Sequence, residues 1–205
     1  MPTINLSDIQ AVKDYATDGL AVLKITSMIT GYEERFPAFL TDFSQTFTPK
    51  WNEEEVYGRM DPIASYQGTK RTMSLSFDVI SAEQAGAKEN MLKCQNLIQM
   101  TYPAYKDGVI SRPPLIKVKF ANLICDQNGE KGLLGWMDNL SWKPDIAMGM
   151  FKSPEGFYPK VINLSFGFNI LHQQSLGISD DNKWRGGDAF PFGNVKDAAN
   201  FGDEQ

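Results

Sequence analysis

From Met73 the chain alternates between large apolar and small polar side chains: Met73, Leu75, Phe77 and Val79 are interleaved with Ser74, Ser76 and Asp78. Successive side chains of a strand point to opposite faces, so this run folds as a strand with one face in a core and the other outside it. The same period returns at Ile162, Leu164, Phe166, Phe168 and Ile170, set against Asn163, Ser165, Gly167 and Asn169. Shorter runs place Ile116, Val118 and Phe120 around Lys117 and Lys119, and Leu23, Ile25 and Ile29 around Lys24, Thr26 and Met28. Leu134, Trp136, Leu140 and Trp142 share a parity, which predicts both tryptophans in the core. Phe43 and Phe47 mark a weaker strand leading to Trp51.

Turn chemistry separates these runs. Residues 126–132 carry Asn128-Gly129, the signature of a tight hairpin, and residues 66–69 and 153–156 read as further loops. Pro113-Pro114 sets the entry to the strand at Leu115. One helix stands out: Ser81 is placed to cap it, with Gln84 completing a capping box. Ala87, Met91, Cys94 and Ile98 follow at helical spacing with Leu97 beside them, and Pro103 limits the end. Gly86 predicts a close approach of a strand to that helix. Residues 7–16 read as a second, short helix. The expected fold class is mainly β, an antiparallel β-sandwich or barrel with one flanking α-helix over residues 1–172.

Beyond residue 172 periodicity stops. Residues 173–205 are rich in Ser, Gly, Asp and Asn, with isolated aromatics at Trp184, Phe190, Phe192 and Phe201. This reads either as a solvated tail or as an extended C-terminal arm that docks on another subunit. Spaced aromatic anchors favour the arm, with Trp184, Phe190 and Phe192 as inter-subunit contacts.

Composition narrows the function. The chain has 205 residues, 42% hydrophobic and 22% charged, so a folded core of ordinary size is expected. Its net charge of -5 weighs against a nucleic-acid track, which needs clustered cations. The N-terminal residues lack the basic and apolar regions of a secretory signal, and no run approaches the ~20 apolar residues of a membrane helix. Assembly in a cytoplasm is expected.

Reactive groups do not converge. The single histidine, His172, follows the last strong strand. Cys94 falls on the apolar helix stripe and Cys125 at a strand end, so both read as buried free thiols. Glu53, Glu54 and Glu55 occupy successive positions of an extended segment and alternate faces, which suits a solvated tip or an interface. No phosphate-binding glycine loop, metal-ligand spacing or cofactor motif occurs. An enzyme, a metal site and a bound cofactor are not expected.

Small polar faces opposite large apolar ones, charged hairpin tips and no reactive site suit a building block. Unpaired strand edges are a hazard in a monomer, but in a ring they can pair between copies. Lys117 and Lys119 on one strand face could meet Glu53, Glu54 and Glu55 of a neighbouring copy. The competing expectation is a β-sandwich binding module for carbohydrate, with Trp51, Trp136, Trp142 and Trp184 as a sugar platform.

Val56-Tyr57-Gly58-Arg59-Met60-Asp61-Pro62-Ile63, Tyr66-Gln67-Gly68-Thr69-Lys70-Arg71 and Ser74-Leu75-Ser76-Phe77-Asp78-Val79 form a recognisable series. It continues through the helix, Tyr102-Pro103-Ala104-Tyr105, Arg112-Pro113-Pro114-Leu115-Ile116-Lys117-Val118, Gly132-Leu133-Leu134-Gly135-Trp136-Met137 and Leu140-Ser141-Trp142. Over about residues 20–172 the chain resembles the baseplate tube proteins of contractile-tailed bacteriophages. The resemblance implies a tail-tube fold and a homo-oligomeric ring, expected to be a hexamer, in the tail baseplate of a virion. The ring would link the central hub to the tail tube, start tube polymerisation, and pass DNA through a lumen without binding it. No catalytic residue is carried over. The arm over 173–205 departs from a minimal tube protein and points to an initiator. A polar to acidic lumen lining is expected from Ser74, Ser76 and Asp78, from Asn163, Ser165 and Asn169, or from the segment with Glu53, Glu54 and Glu55, and periodicity leaves the choice open.

Overall fold

The computed structural model describes residues 22–37, 39–126, 131–186 and 190–192. The helix expected over 7–16, the Asn128-Gly129 turn and Phe201 lie outside the described residues.

The strands are β1 (Val22–Ser27), β2 (Glu33–Pro37), β3 (Phe39–Glu54), β4 (Ile63–Ile80), β5 (Ala104–Lys106), β6 (Val109–Arg112), β7 (Ile116–Phe120), β8 (Leu133–Pro144), β9 (Met150–Ser153), β10 (Gly156–Pro159) and β11 (Val161–Ile170), with α1 (Gln84–Gln99) between β4 and β5. Seven strands form one sheet in the order β2-β1-β7-β8-β11-β4-β3, with each neighbouring pair antiparallel. The pairs β5–β6 and β9–β10 are separate hairpins that the sequence did not announce.

Alternation sets the faces. In β4, Arg71, Met73, Leu75, Phe77 and Val79 are buried, and in β11 Leu164, Phe166 and Phe168 are buried opposite them. Phe36 on β2 packs on Phe77 with ring centroids 5.6 Å apart, although their strands lie far apart in the sheet order. The sheet is therefore rolled around a single core as an open barrel, not split into two stacked sheets. Each buried Leu, Ile or Phe contributes roughly 1.5–3 kcal/mol.

Helix α1 covers this core through Ala87, Cys94 and Leu97, with Met100 just beyond its end. Met91, expected inside, is 37% exposed, because the buried stripe runs one position away from it. Helix and barrel are joined at Glu34 on β2, whose Oε1 accepts from Tyr32 Oη and Asn96 Nδ2, both at 2.7 Å. Ser81 is not the cap: the N-cap is Glu83, without a side-chain cap bond. Ser81 is buried instead, where its Oγ accepts from Asn90 Nδ2 at 2.6 Å. A Cβ on Gly86 would meet only Glu83 Cγ, at 4.0 Å, so no strand among the described residues uses the gap.

Two bulges overturn other expectations. In β8 Asp138 pairs with Gly167 and Ser141 with Ser165, so Asn139 and Leu140 together oppose Phe166, with Asn139 at φ 52°. The extra residue reverses the parity of the strand. Trp136 stands opposite Asn169 and Trp142 opposite Leu164, on opposite faces, and they are 40% and 37% exposed. They do not share the core. Residues 66–69, expected as a loop, belong to β4, where Lys50 pairs with Gly68 and Trp51 with Tyr66, leaving Gln67 unpaired. Gly68, at φ 144°, supplies the backbone freedom this bulge needs. The weak strand over Phe43 and Phe47 is in fact part of the 16-residue β3.

Candidate assembly surfaces

The face of β3, β4, β11 and β8 that points away from the core is a ladder of small polar groups. One row across the sheet is Asp42, Ser76, Ser165 and Ser141, and the next is Ser44, Ser74, Gly167 and Asp138. Below them Thr46, Thr72, Asn169 and Trp136 form a third row, and Phe39, Asp78, Asn163 and Lys143 a fourth. The two alternating polar sets read from sequence are thus brought onto one surface, joined by a hydrogen bond from Asn163 Nδ2 to Asp78 Oδ1 at 2.8 Å. Asn169 is the exception: flanked by Thr72 and Trp136, it is buried, 7% exposed, and cannot line an open surface in this chain. Three carboxylates against one lysine leave the ladder weakly acidic.

This four-stranded patch has open margins. Among the described residues β3 pairs only with β4, and β8 beyond Gly135 pairs only with β11. Ile116 of β7 and Ile170 of β11 both meet β8 at Gly135. A Cβ there would fall on the Asn169 carbonyl oxygen and lie 2.9 Å from Phe168 Cζ, so the handover requires glycine.

Glu53, Glu54 and Glu55 lie elsewhere. The pairing of β4 with β11 begins at Thr72, so residues 63–71 and the facing part of β3 leave the barrel as a two-stranded arm. Nine residues reach roughly 30 Å. Trp51 packs edge-on against Tyr66 on the arm, with ring centroids at 5.3 Å. Glu53 pairs with Ala64 and Glu54 with Ile63, which turns neighbouring carboxylates to opposite faces. Tyr57 and Met60, in the turn, are fully exposed.

Lys117 and Lys119 project from β7 beside β1, where Lys24 is the register partner of Lys119 and Thr26 that of Lys117. With Lys131 they line a hollow of about 260 Å³.

The described residues around Trp184 and Phe190, after β11, pack back on their own chain. Arg71, 1% exposed, donates from Nε and Nη2 to Gln45 Oε1 at 3.0 and 2.6 Å, and from Nη2 to the Pro191 carbonyl at 3.4 Å. Its guanidinium lies 5.2 Å from the centroids of both Phe47 and Phe190. Burial lowers its pKa to about 10. Trp184 packs on Phe190 at 5.5 Å. Phe190, expected as an inter-subunit anchor, is therefore held within the chain, because the buried cation offers it a partner. Trp184 and Phe192 remain 41% and 38% exposed. From the sequence Arg71 reads as half of a small basic spot with Lys70; it lies instead on the apolar parity of β4, which was the signal that it is buried.

Cys94 and Cys125 are buried and not joined in a disulfide, and burial pushes the Cys94 thiol up to about 11. His172 lines a small hollow with Arg71 and Asp126. Among the described residues no group of three or more His, Cys, Asp and Glu could hold a metal ion, and no helix is long and apolar enough to cross a membrane.

No protein-family model matches the chain, and no curated protein matches it. Among solved structures it is similar to a chain in the cryo-EM structure of the anti-feeding prophage (AFP) baseplate, 6-fold symmetrised, at 7% sequence identity and a TM-score of 0.30. The match covers 72% of this chain and 87% of that chain. The neighbour is a prophage baseplate component, and the likeness is too slight to carry fold or function across.

Proposed function

We propose that the chain is a structural ring subunit of a contractile phage baseplate, linking the central hub to the tail tube and initiating tube polymerisation. The observation that carries this reading is the four-stranded patch β8-β11-β4-β3, apolar on one face, mostly small and polar on the other, and, among the described residues, unpaired along the outer margin of β3 and of β8 beyond Gly135. Four antiparallel strands put β8 and β3 in opposite directions. Joining the β3 edge of one copy to the β8 edge of the next therefore continues the antiparallel alternation without a break. Copies joined this way close into a barrel lined by the polar ladder.

Six copies give 6 × 4 = 24 strands. At the usual strand spacing that is a barrel on the order of 40 Å across its backbone, wider than the 16–18-stranded barrels that already leave an aqueous channel. A small, weakly acidic lining repels a polyanion and offers it no cationic foothold, which suits passage of DNA without binding. In this reading the protein resides in the virion baseplate after assembly in the host cytoplasm, needs no cofactor and catalyses nothing. The segment 173–205 is what favours an initiator over the repeating tube subunit.

The carbohydrate-module alternative needs tryptophans on one platform. Trp136 and Trp142 lie on opposite faces, Trp51 packs edge-on against Tyr66 in the arm, and Trp184 packs on Phe190. Nothing in this arrangement favours it.

Cryo-EM of the chain in its assembled particle tests the reading. The expected result is a closed ring with β3 of each copy hydrogen-bonded to β8 of its neighbour around a bore. A particle in which both margins are covered by the chain's own residues, with no pore beside the polar ladder, overturns it.

A further inference from the structure

We infer that β3 of one copy docks on β8 of the next in a single register, with Asp42 directly opposite Lys143. The inference rests on the ring reading for its partner, a second copy of this chain, and goes beyond it by fixing how the two edges align. The polar faces of both copies must fall on one side, so the register can slide only in steps of two residues.

Charge narrows the choice. Lys143 is the one cation in the four rows of the polar ladder, and it stands exposed on the β8 margin. Asp42 stands exposed on the β3 margin, and among the described residues neither of the two forms an ion pair. Opposite charges directly across a strand pair stabilise it, and like charges destabilise it. With Asp42 against Lys143, and with Asn139 and Leu140 counted together as β11 counts them, Ser44 meets Ser141 and Thr46 meets Asp138. One step of sliding puts Asp42 against Ser141 and leaves Lys143 unmatched. A second step in that direction sets Asp42 against Asp138.

Two further features agree with the same register. Pro49 then falls opposite Gly135, where β7 takes over the outer side of β8 at Ile116. Proline has no N–H to give to a ladder, so the pairing ends where the free margin ends. Sliding one step the other way puts Pro49 inside the pairing, against Met137. On the apolar face Phe43 meets Trp142 and Phe47 meets Met137. Trp142, across from Leu164, and Phe47 are both exposed in one chain, whereas Phe43 and Met137 already pack on the core. Each exposed ring therefore gains an apolar neighbour, and aromatic cross-strand pairs of this kind stabilise a sheet. The two edges are different surfaces of one chain, so the contact is head-to-tail and closes only as a ring.

Disulfide trapping in assembled particles tests the register. One full-length chain carries Ser44→Cys with Ser141→Cys. Within a chain these positions are three strand spacings apart, about 14 Å. A disulfide spans no more than about 7 Å between Cα atoms, so oxidation can join them only between copies. The expected result is a ladder of linked chains on non-reducing electrophoresis, absent from the parent chain. Ser44→Cys with Asp138→Cys, and Ser44→Cys with Lys143→Cys, report the registers one step to either side. Each should link about tenfold more slowly, because its Cβ atoms are not directly opposite. Charge reversal gives a second measurement at exposed positions. Asp42→Lys or Lys143→Asp alone should weaken ring formation about tenfold, and the two together should restore it to within about threefold. Cryo-EM of the same particles separates this inference from the ring reading. Faster linking of a shifted pair, linking of none, or a double reversal no better than the single ones, in particles that keep a bore, overturns the register and leaves the ring. Particles without a bore sink the ring reading, and a Ser44–Ser141 link formed in them leaves the edge register standing.

Discussion

Asn163 donates to Asp78 across the β11–β4 pair at 2.8 Å, on the face turned away from the core. The bond ties together the two polar sets that alternate with the apolar core residues. Both partners are only partly buried, so the coupling is modest. A double-mutant cycle with Asn163→Ala and Asp78→Ala, read by urea unfolding, should give about 0.5–1 kcal/mol of coupling. Zero coupling would show that the two side chains behave independently in solution.

Arg71 holds the segment around Phe190 to the barrel. Arg71→Ala leaves Gln45 Oε1 without its donor and empties the space between Phe47 and Phe190, with an expected cost of about 2–4 kcal/mol in urea unfolding. Arg71→Met keeps the volume and removes a buried charge, so it should cost much less, about 1 kcal/mol. Both should speed proteolysis within residues 173–192. Unchanged proteolysis in both variants would show that the guanidinium is not what holds the segment.

The single imidazole gives a clean titration. Burial, and after it the Arg71 charge, hold the His172 pKa below the ordinary imidazole value. Its NMR midpoint should therefore lie under about 6.5 and move upward in Arg71→Met. The linkage sign follows: the unfolded chain binds the proton first, so stability is full above about pH 6.5 and falls as pH drops toward the lower folded value. His172→Gln should flatten that part of the stability profile. An NMR midpoint at or above the ordinary value would contradict the placement.

Gly135 is where β8 passes from β7 to β11. Gly135→Ala puts a methyl group against the Asn169 carbonyl, and backbone cannot step aside cheaply. A loss of about 3 kcal/mol or more is expected, read as a lowered urea midpoint or insoluble expression. A near-neutral result would mean that the strands separate there without cost.

The faces of β4 and β11 were legible because each is a half-buried strand, where hydrophobicity and geometry share a period of two. Ser74, Ser76, Asp78, Asn163 and Ser165 were singled out from that period alone, and they share one surface. Trp136 and Trp142 were misread because one extra residue at Asn139–Leu140 reverses parity, and a bulge leaves little trace in a hydrophobic pattern. The helix stripe was read one residue off at Met91 because an isolated helix pattern tolerates such rotation until a barrel covers one side of it. Ser81 matched a capping box, but burial against Asn90 outweighed that local preference.

By itself the sequence determined most of the strands, the apolar faces of β4 and β11 and the helix over Gln84–Gln99, because these follow from local periodicity and residue type. Only the tertiary structure decided that the sheet rolls until Phe36 meets Phe77, that Arg71 is buried between two rings, that Lys24 joins Lys117 and Lys119, and that among the described residues β3 and the part of β8 beyond Gly135 are left with open margins. Those facts depend on which strands become neighbours, and neighbours far apart along the chain are chosen by the packing of the whole core, which no local pattern encodes.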